Sequence, residues 1–303
     1  MGRNALHMQA MAKIPEKPWP TGKSEQLEPL VRRVLAPNPS PYTYTGTQTY
    51  LVGGNDGLAV IDPGPAEPAH LEALYEAIGD APVLAIMCTH THRDHSPAAA
   101  PLKEKTGAPL VGCAPLRPQG GHGEFRADEA LDVDYEPDRV MEDGEAMTGP
   151  GWTLRAVATP GHVSNHLCFA LEESGALFTG DHVMGWSTSV VIPPDGDMGQ
   201  YMDSLEKLNG REDTVYYPAH GPQVDKPRQL IRGIIGHRRQ RENQIVRILG
   251  EGPATIAEGL VPKMYKGLDP KLVKAAGMSV MAHLLDMERR GLAVRSGDTW
   301  QTI

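Results

Sequence analysis

The chain has 303 residues, of which 40% are hydrophobic and 22% charged, and its formal net charge is −9. That length can bury a large core, and that composition is typical of a soluble globular protein rather than a disordered one. No run of about 18 apolar residues is present and the start of the chain lacks an apolar signal core, so we predict neither a membrane span nor a secretion signal.

The three cysteines, Cys88, Cys113 and Cys168, lie in apolar segments that resemble strands. An odd number of cysteines in such surroundings favours buried thiols over disulfides or a thiolate metal site. We therefore predict a reducing compartment, a cytoplasmic location and no contact with a membrane.

Residues 1–27 are the first predicted segment, and their prolines favour an extended arm over a helix or a strand. From Leu30 onward the chain takes on the character of strands. The predicted elements are strands at 31–35, 42–52 and 58–62, a helix at 68–78 and an apolar strand at 83–88. Strands and helices alternate, which is typical of an α/β protein.

Four side chains that bind metal ions follow this apolar strand directly: His90, His92, Asp94 and His95. On an extended segment His90 and His92 point to the same side and can share one ion. A turn would then carry Asp94 and His95 toward a second ion. Such a density of ligands is hard to explain by packing, so we predict two neighbouring metal sites.

The helix after this motif is predicted to have Ser96 as its N-cap and Pro97 at its first position, and to end near Thr106. The motif would then lie on a turn between a strand and a helix. Residues 115–138 are long for an irregular connection, which predicts either a loop that lines a pocket or local disorder. Further strands are predicted near 109–111 and at 152–159, 166–171 and 176–180.

The order His-x-His-x-Asp-His resembles the signature of the metallo-β-lactamase superfamily, and the segments 159–162, 177–182 and 217–221 are similar to that family's later motifs. The resemblance implies two ligand sets that share Asp181 as a bridge. They are His90, His92, His162 and Asp181 for one ion, and Asp94, His95, Asp181 and His220 for the other. It also implies that Asp62 supports the metal-binding loop.

The resemblance further implies the family's αβ/βα four-layer sandwich for residues 28–250, with two mixed sheets face to face, helices outside and the metals at one edge. Composition and periodicity alone support only the α/β class. The cofactors implied are two divalent ions, with zinc favoured by ligands that lack thiolate, and iron or manganese left open. Two ions about 3.5–4 Å apart hold a bridging water and lower its pKa toward about 7, so hydrolysis is the predicted reaction.

Two residues are predicted to take part in catalysis. Asp94 would orient or deprotonate the water. His166 follows His162 closely and would line the same cavity, either supporting a ligand or acting as a general acid. The remaining histidines have no comparable setting and are predicted to be surface or structural residues: His7, His70, His122, His182, His237 and His283.

The character of the chain changes after the last metal motif. Residues 228–249 predict a long basic amphipathic helix. In residues 251–303 we predict three short helices, at 255–260, 271–276 and 279–290, and a two-stranded wing at 292–303. This region resembles a winged helix. Together with residues 38–53 it is similar to the lactamase-like-protein branch, which includes single-strand endoribonucleases and uncharacterised hydrolases.

Charge divides unevenly along the chain. From Asp225 onward there are 14 Lys and Arg against 8 Asp and Glu, a net of +6, which leaves −15 for the rest. The basic part can hold a polyanion, or it can dock on the acidic body or on another subunit in a homodimer. Candidate phosphate contacts are Arg228, Arg232, Arg238, Arg239, Arg241, Lys263, Lys266, Lys271 and Lys274.

The predicted substrate is therefore single-stranded RNA or a small ester or thioester. Two alternatives from the same fold are a glyoxalase-II-like thioesterase and a mononuclear-iron dioxygenase. The first is disfavoured because the all-helical extension of that family is missing, whereas the second shares much of the motif. A true β-lactamase is disfavoured by the missing secretion signal, and a purely nucleic-acid-binding role leaves the ligands unexplained.

Overall fold

The computed structural model describes residues 19–116 and 130–303. Most of the predicted arm and the middle of the predicted loop at 115–138 lie outside the described residues, as do His7 and His122. Among the described residues, no helix combines the length and the apolar character that crossing a bilayer requires.

Among the described residues, seven strands form the first sheet. Its elements are β1 (Ser24–Glu28), β2 (Val31–Leu35), β3 (Gln48–Gly54), β4 (Gly57–Ile61), α1 (Pro68–Ile78), β5 (Val83–Cys88), α2 (Ala99–Thr106), β6 (Leu110–Gly112) and β7 (Arg139–Val140). The strands lie in sequence order. Strands β1 to β4 pair antiparallel and β4 to β7 pair parallel. The helices belong to the parallel half because parallel neighbours need a crossover connection.

Three predictions in this half need correction. Strand β1 lies within the predicted arm and pairs with β2 through Ser24 and Val34, so the sheet begins earlier than expected. Ser96 does not cap α2, because its hydroxyl donates to Asp132 Oδ2 at 2.6 Å and the helix begins at Ala99 instead. Residues 42–47 are a loop rather than the start of β3.

The second sheet has five strands among the described residues. Its elements are β8 (Ala146–Gly149), β9 (Trp152–Ala158), β10 (Leu167–Leu171), β11 (Ala176–Gly180), α3 (Met198–Asn209) and β12 (Val215–Pro218). The order across the sheet is β12-β11-β10-β9-β8. Only β11 and β12 pair parallel.

The alternation of side chains along β10 shows how the layers pack. Leu167, Phe169 and Leu171 belong to the core between the two sheets, whereas Cys168 and Ala170 pack under the helices on the outer face. Successive side chains of a strand point to opposite faces, so a strand that is apolar throughout is buried on both. The αβ/βα sandwich is confirmed.

The C-terminal part is built from α4 (Pro227–Leu249), β13 (Ala254–Thr255), a π-helical turn (Ile256–Leu260), α5 (Val261–Met264), a 3₁₀ turn (Pro270–Leu272), α6 (Val273–Arg289), β14 (Ala293–Ser296) and β15 (Thr299–Thr302). The predicted wing is present as β14 and β15, and β13 pairs with β15. The prediction of two helices over 271–290 is wrong. Gly277 lies inside α6, where burial of Ala276 and Val280 offsets the roughly 1 kcal/mol that an interior glycine costs.

Helix α4 joins two hydrophobic cores. Its first half places Ile231, Ile234 and Ile235 in the core under the second sheet, and its last turns place Ile248 and Leu249 in the core of the C-terminal part. The long amphipathic helix predicted over residues 228–249 is confirmed.

Candidate metal centre

All seven predicted metal ligands lie at one edge of the sandwich. The first four follow β5, and the others follow β9, β11 and β12. Strands β9, β11 and β12 run in the same direction, because β9 and β11 are both antiparallel to β10 and β12 is parallel to β11. Their carboxyl ends therefore meet at this edge. The ligands brought together are His90, His92, Asp94, His95, His162, Asp181 and His220.

The first group of ligand atoms comes from His90, His92, His162 and Asp181, which lie within 4.8 Å of one another. His90 Nε2 lies 2.9 Å from His92 Nδ1, which lies 3.2 Å from His162 Nε2. His162 Nε2 lies 3.7 Å from Asp181 Oδ2. The expectation that His90 and His92 face one ion agrees with this geometry.

The second group comes from Asp94, His95 and His220. Asp94 Oδ2 lies 3.1 Å from His220 Nε2 and 3.4 Å from His95 Nε2. The other oxygen of Asp181, Oδ1, lies 3.2 Å from His220 Nε2 and 3.6 Å from His95 Nε2. The Asp181 carboxylate thus faces both groups, one oxygen toward each.

Buried polar atoms without partners test whether these residues fit metal ions. His95 Nε2, His220 Nε2 and Asp181 Oδ1 are buried and make no hydrogen bond among the described residues. Leaving such atoms unsatisfied costs free energy, and a cation between them would satisfy all three. The donor set therefore fits metal ions.

The electrostatics of the two groups differ. Burial lowers the pKa of His92 to about 3, with the neighbouring His162 adding to the effect, so His92 is neutral and keeps a lone pair for a ligand bond. Burial would also lower the pKa of His95, but Asp94 and Asp181 outweigh it and hold that pKa well above the usual value. The second group thus favours a positive charge, whether a proton or a metal ion.

Asp62 supports the loop that carries the first four ligands. Its Oδ1 accepts from the Thr89 N–H at 2.7 Å, and its Oδ2 accepts from the Thr89 hydroxyl at 2.8 Å and faces His95 Nδ1 at 3.1 Å. The backbone of Asp62 has φ +47°, a left-handed conformation that is strained for this residue and typical of functional sites. The structure places Asp62 where the resemblance expected it.

Backbone carbonyls orient two further ligands. His162 Nδ1 lies 2.6 Å from the Val190 carbonyl oxygen, and His220 Nδ1 lies 3.3 Å from that of Gly46. A hydrogen bond at one ring nitrogen fixes which nitrogen is free to bind a metal. Sequence reasoning missed Val190 and Gly46, because a supporting carbonyl carries no side-chain signal.

His166 lies behind the ligands rather than among them. Its Nδ1 is 2.9 Å from the Thr159 hydroxyl, and its Nε2 accepts from the Asp181 N–H at 3.2 Å. The side chain is buried, and burial holds its pKa well below the usual value, with His182 adding to the effect. Both ring nitrogens are engaged, so the geometry favours the supporting role over the general acid.

Among the residues that the structure describes, four other histidines are buried and lie outside the two ligand groups. His70 faces the Pro63 carbonyl oxygen at 2.9 Å and the Thr49 hydroxyl at 3.1 Å, as a structural residue would. The others are His182, which meets the Tyr201 ring edge to face, and His237 and His283 of the C-terminal part.

The cysteines supply no nucleophile to this centre. Cys88, Cys113 and Cys168 are free and buried, as predicted. Burial raises the pKa of each, that of Cys168 to about 12, so all three are protonated thiols at neutral pH.

A four-layer αβ/βα sandwich with these ligand groups at its edge defines a class of metal-binding proteins, and comparisons with known proteins identify it. A model described as the metallo-beta-lactamase superfamily matches residues 42–220, and one described as the beta-lactamase associated winged helix domain matches residues 257–300. The chain therefore belongs to the metallo-β-lactamase superfamily and carries the associated winged helix domain.

Individual relatives agree with this assignment. The chain is 34% identical over 243 residues to the lactamase-like protein aptB of Emericella nidulans, which covers 80% of this chain and 71% of that protein. It is 32% identical over 279 residues to an atrochrysone carboxyl ACP thioesterase of Aspergillus chevalieri, which covers 84% of this chain and 83% of that protein. A beta-lactamase domain protein from Burkholderia ambifaria shares the fold, with a TM-score of 0.79, 24% identity and 95% of each chain covered.

Proposed function

We propose that this protein is a hydrolase that uses two metal ions, zinc by the chemistry of its ligands, and that its substrate is an acyl thioester. The observation that carries the proposal is the position of Asp181. Its Oδ2 lies near His162 of the first group and its Oδ1 near His220 of the second. A carboxylate in this position can bind one ion with each oxygen, and histidine and carboxylate ligands without thiolate suit zinc.

Divalent ions held by these groups would supply a water of lowered pKa and a Lewis acid that polarises a carbonyl oxygen. The chain contributes the orientation of that water. Asp94 is partly exposed beside the second group, and His95 and His220 hold its pKa well below the usual value although burial opposes its ionisation. An ionised Asp94 accepts a hydrogen bond from the water and directs it toward the substrate.

The positions of the basic side chains support a thioester over RNA. Four of the candidate phosphate contacts are engaged within the chain. Arg238 donates to the Ser189 carbonyl, Arg239 pairs with Glu206, Arg241 lies over the Tyr265 ring, and Lys263 pairs with Glu251. Arg238, which is buried, helps to dock the C-terminal part on the body, and Arg241 helps to hold that part together, so these two guanidinium groups are committed to contacts within the chain. The pairs of Arg239 and Lys263 are exposed and contribute little.

The names of the relatives support the same substrate class. The Aspergillus chevalieri protein, which matches over 279 residues, is named as a thioesterase for an acyl group on a carrier protein. Thioester hydrolysis needs only an activated water and a polarised carbonyl, which are what this centre would provide.

One panel of substrates tests the proposal on the full-length protein. The panel contains an acyl thioester, a phosphodiester reporter, single-stranded RNA and a β-lactam, and the metal content is measured on the same preparation. We expect about two ions per chain and turnover of the thioester that changes little with salt. RNA binding would instead weaken by about 0.7 log units per log unit of salt for each phosphate neutralised.

Two results would contradict the proposal. Salt-sensitive cleavage of RNA with the thioester left intact would identify a nuclease. A reproducible content of one iron ion per chain, with no hydrolysis of any member of the panel, would favour the dioxygenase.

A further inference from the structure

Arg238 is a buried cation that reaches from α4 toward the metal centre. Its side chain is 5% exposed, and its Nη2 donates to the Ser189 carbonyl oxygen at 2.5 Å. The guanidinium lies over the Tyr201 ring, 5.3 Å from the centroid. A buried guanidinium is costly unless it is hydrogen-bonded, and a charged donor makes a stronger bond than a neutral one.

The segment that Arg238 holds makes hydrogen bonds to two residues of the first ligand group. The Ser189 hydroxyl donates to the Asp181 carbonyl oxygen at 2.5 Å. The next residue, Val190, accepts from His162 Nδ1 at 2.6 Å. Because the peptide bond is planar, fixing the Ser189 carbonyl fixes the Ser189–Val190 peptide plane, and only the φ and ψ of Val190 separate that plane from the Val190 carbonyl. Arg238 thus bonds to the residue whose hydroxyl contacts the Asp181 carbonyl, and the next residue along the chain contacts His162.

Tyr201, the ring beneath the guanidinium, packs against the same two loops. Its hydroxyl donates to the His182 carbonyl oxygen at 3.1 Å, next to Asp181. Its backbone lies so close to Gly161, next to His162, that a Cβ added there would approach the Tyr201 Cα to 2.4 Å. The stacked pair of Arg238 and Tyr201 therefore supports the metal-binding edge from the side of the helices.

We propose that Arg238 is a positioning residue for the metal centre, which acts through the Ser189 carbonyl to hold the Val190 carbonyl against His162. The inference rests on the proposed metal-binding function and extends it. Helix α4, which leads into the winged helix domain, then helps to hold the metal ligands in place. Without this bond the Val190 carbonyl is free to turn away, and His162 loses the hydrogen bond that fixes its metal-binding nitrogen.

The test uses the variant Arg238→Met. Methionine keeps much of the side-chain volume and removes the N–H donors of the guanidinium. Co²⁺ is the probe, and no substrate is involved, so the result does not depend on whether the hydrolase proposal holds. We expect Co²⁺ at one site to bind about 10- to 100-fold more weakly, the usual effect of removing support behind a ligand. In the Co²⁺-loaded variant, the hyperfine-shifted N–H signal of His162 should exchange faster with solvent, while those of His95 and His220 stay unchanged.

The matched control is Arg241→Met, one turn further along α4. Arg241 lies over the Tyr265 ring at 4.5 Å and donates to Gln244, both in the C-terminal part. This variant should lose stability but keep the Co²⁺ affinities of the unmodified chain. If Arg238→Met behaves in the same way, the proposal is overturned and Arg238 only docks the helix.

Arg238→Met can fail to fold, so a second variant is needed. Ser189→Ala removes the hydroxyl that donates to the Asp181 carbonyl, and it leaves the backbone bond to Arg238 in place. We expect it to weaken Co²⁺ binding as well, although less than the loss of Arg238 does. Affinities identical to those of the unmodified chain would contradict a role for this segment in holding the ligands.

Discussion

Buried histidines occur in two regions of this molecule, and their neighbours differ. At the metal-binding edge, His95 and His220 face the carboxylates of Asp94 and Asp181, which raise both pKa values in spite of burial. Between α4 and α6, burial lowers the pKa of His283 to about 3, and the nearby side chains of Arg238, His237, Arg290 and Arg241 lower it further.

The difference shows what distinguishes a metal site from a packed histidine. Both regions contain buried ring nitrogens without hydrogen-bond partners among the described residues, including His95 Nε2 and both nitrogens of His283. At the metal-binding edge the charges that act most on His95 are the carboxylates of Asp94 and Asp181, whereas around His283 they include the guanidinium groups of Arg238, Arg290 and Arg241. Histidines among cations repel a metal ion, so burial of histidine by itself indicates nothing about metal binding.

The largest expected effect separates the two regions directly. Asp181→Asn removes the charge that would bridge two ions while it keeps the volume, so thioester hydrolysis should fall by about 1,000-fold, equivalent to about 4 kcal/mol. His283→Gln, the control from the other region, should change hydrolysis by no more than about threefold. Steady-state rates, metal content and thermal unfolding of both variants check this. Equal losses in the two variants would contradict the comparison.

The next effect concerns the support of the ligands. Asp62→Asn replaces one carboxylate oxygen with an NH2 group. At the Oδ2 position this group would face the Thr89 hydroxyl and His95 Nδ1, and both would lose their acceptor. We expect metal affinity to fall by about 10- to 100-fold, measured by competition with a chelator. The control is Asp138→Asn, because Asp138 also accepts from a backbone N–H, that of Leu110, but far from the ligands. An unchanged affinity in Asp62→Asn would show that the loop holds its shape without this carboxylate.

The smallest effect lies in the other region and depends on pH. Unfolded His283 takes up a proton below about pH 6.5, whereas the folded residue does so only near pH 3. Its burial therefore contributes stability that is complete above about pH 6.5 and is lost as the pH falls toward 3. Between pH 7.5 and 5.5 this residue should lower the free energy of unfolding by about 1.4 kcal/mol.

The measurement is urea unfolding of the metal-depleted chain at both pH values, which removes the contribution of bound ions. His283→Gln should show a fall that is smaller by the same amount. If the two proteins lose equal stability on acidification, His283 is protonated in the folded state and the contrast with His95 disappears.

The first four ligands could be predicted because the chemistry of their side chains is visible in the motif, whereas His162, Asp181 and His220 came from the resemblance to a known family. The spacing of His90 and His92 predicts a shared side, and the structure places their nitrogens 2.9 Å apart. The bounds of α1 could be predicted as well, from Pro68 at its start to Gly79 after its end. In both cases local residue chemistry determines the outcome.

The features that could not be predicted depend on partners distant in sequence. Ser96 has the chemistry of an N-cap, but Asp132 competes for its hydroxyl. The basic residues of α4 suggest a polyanion, but Arg238 and Arg239 are directed to partners 49 and 33 residues away. A pattern of charges shows which residues are basic, and only the fold shows what each one contacts.

Helix α4 has a consequence for how the molecule unfolds. One uninterrupted helix of 23 residues contributes apolar side chains to two cores, so neither core is complete without it. Fraying of the wing would expose Ile248 and Leu249 and loosen the last turns of the helix, whereas its first turns would remain held under the second sheet. Amide hydrogen exchange along α4 would thus report on both cores. The amides of its last turns should exchange first, and those of its first turns, under the second sheet, should exchange later.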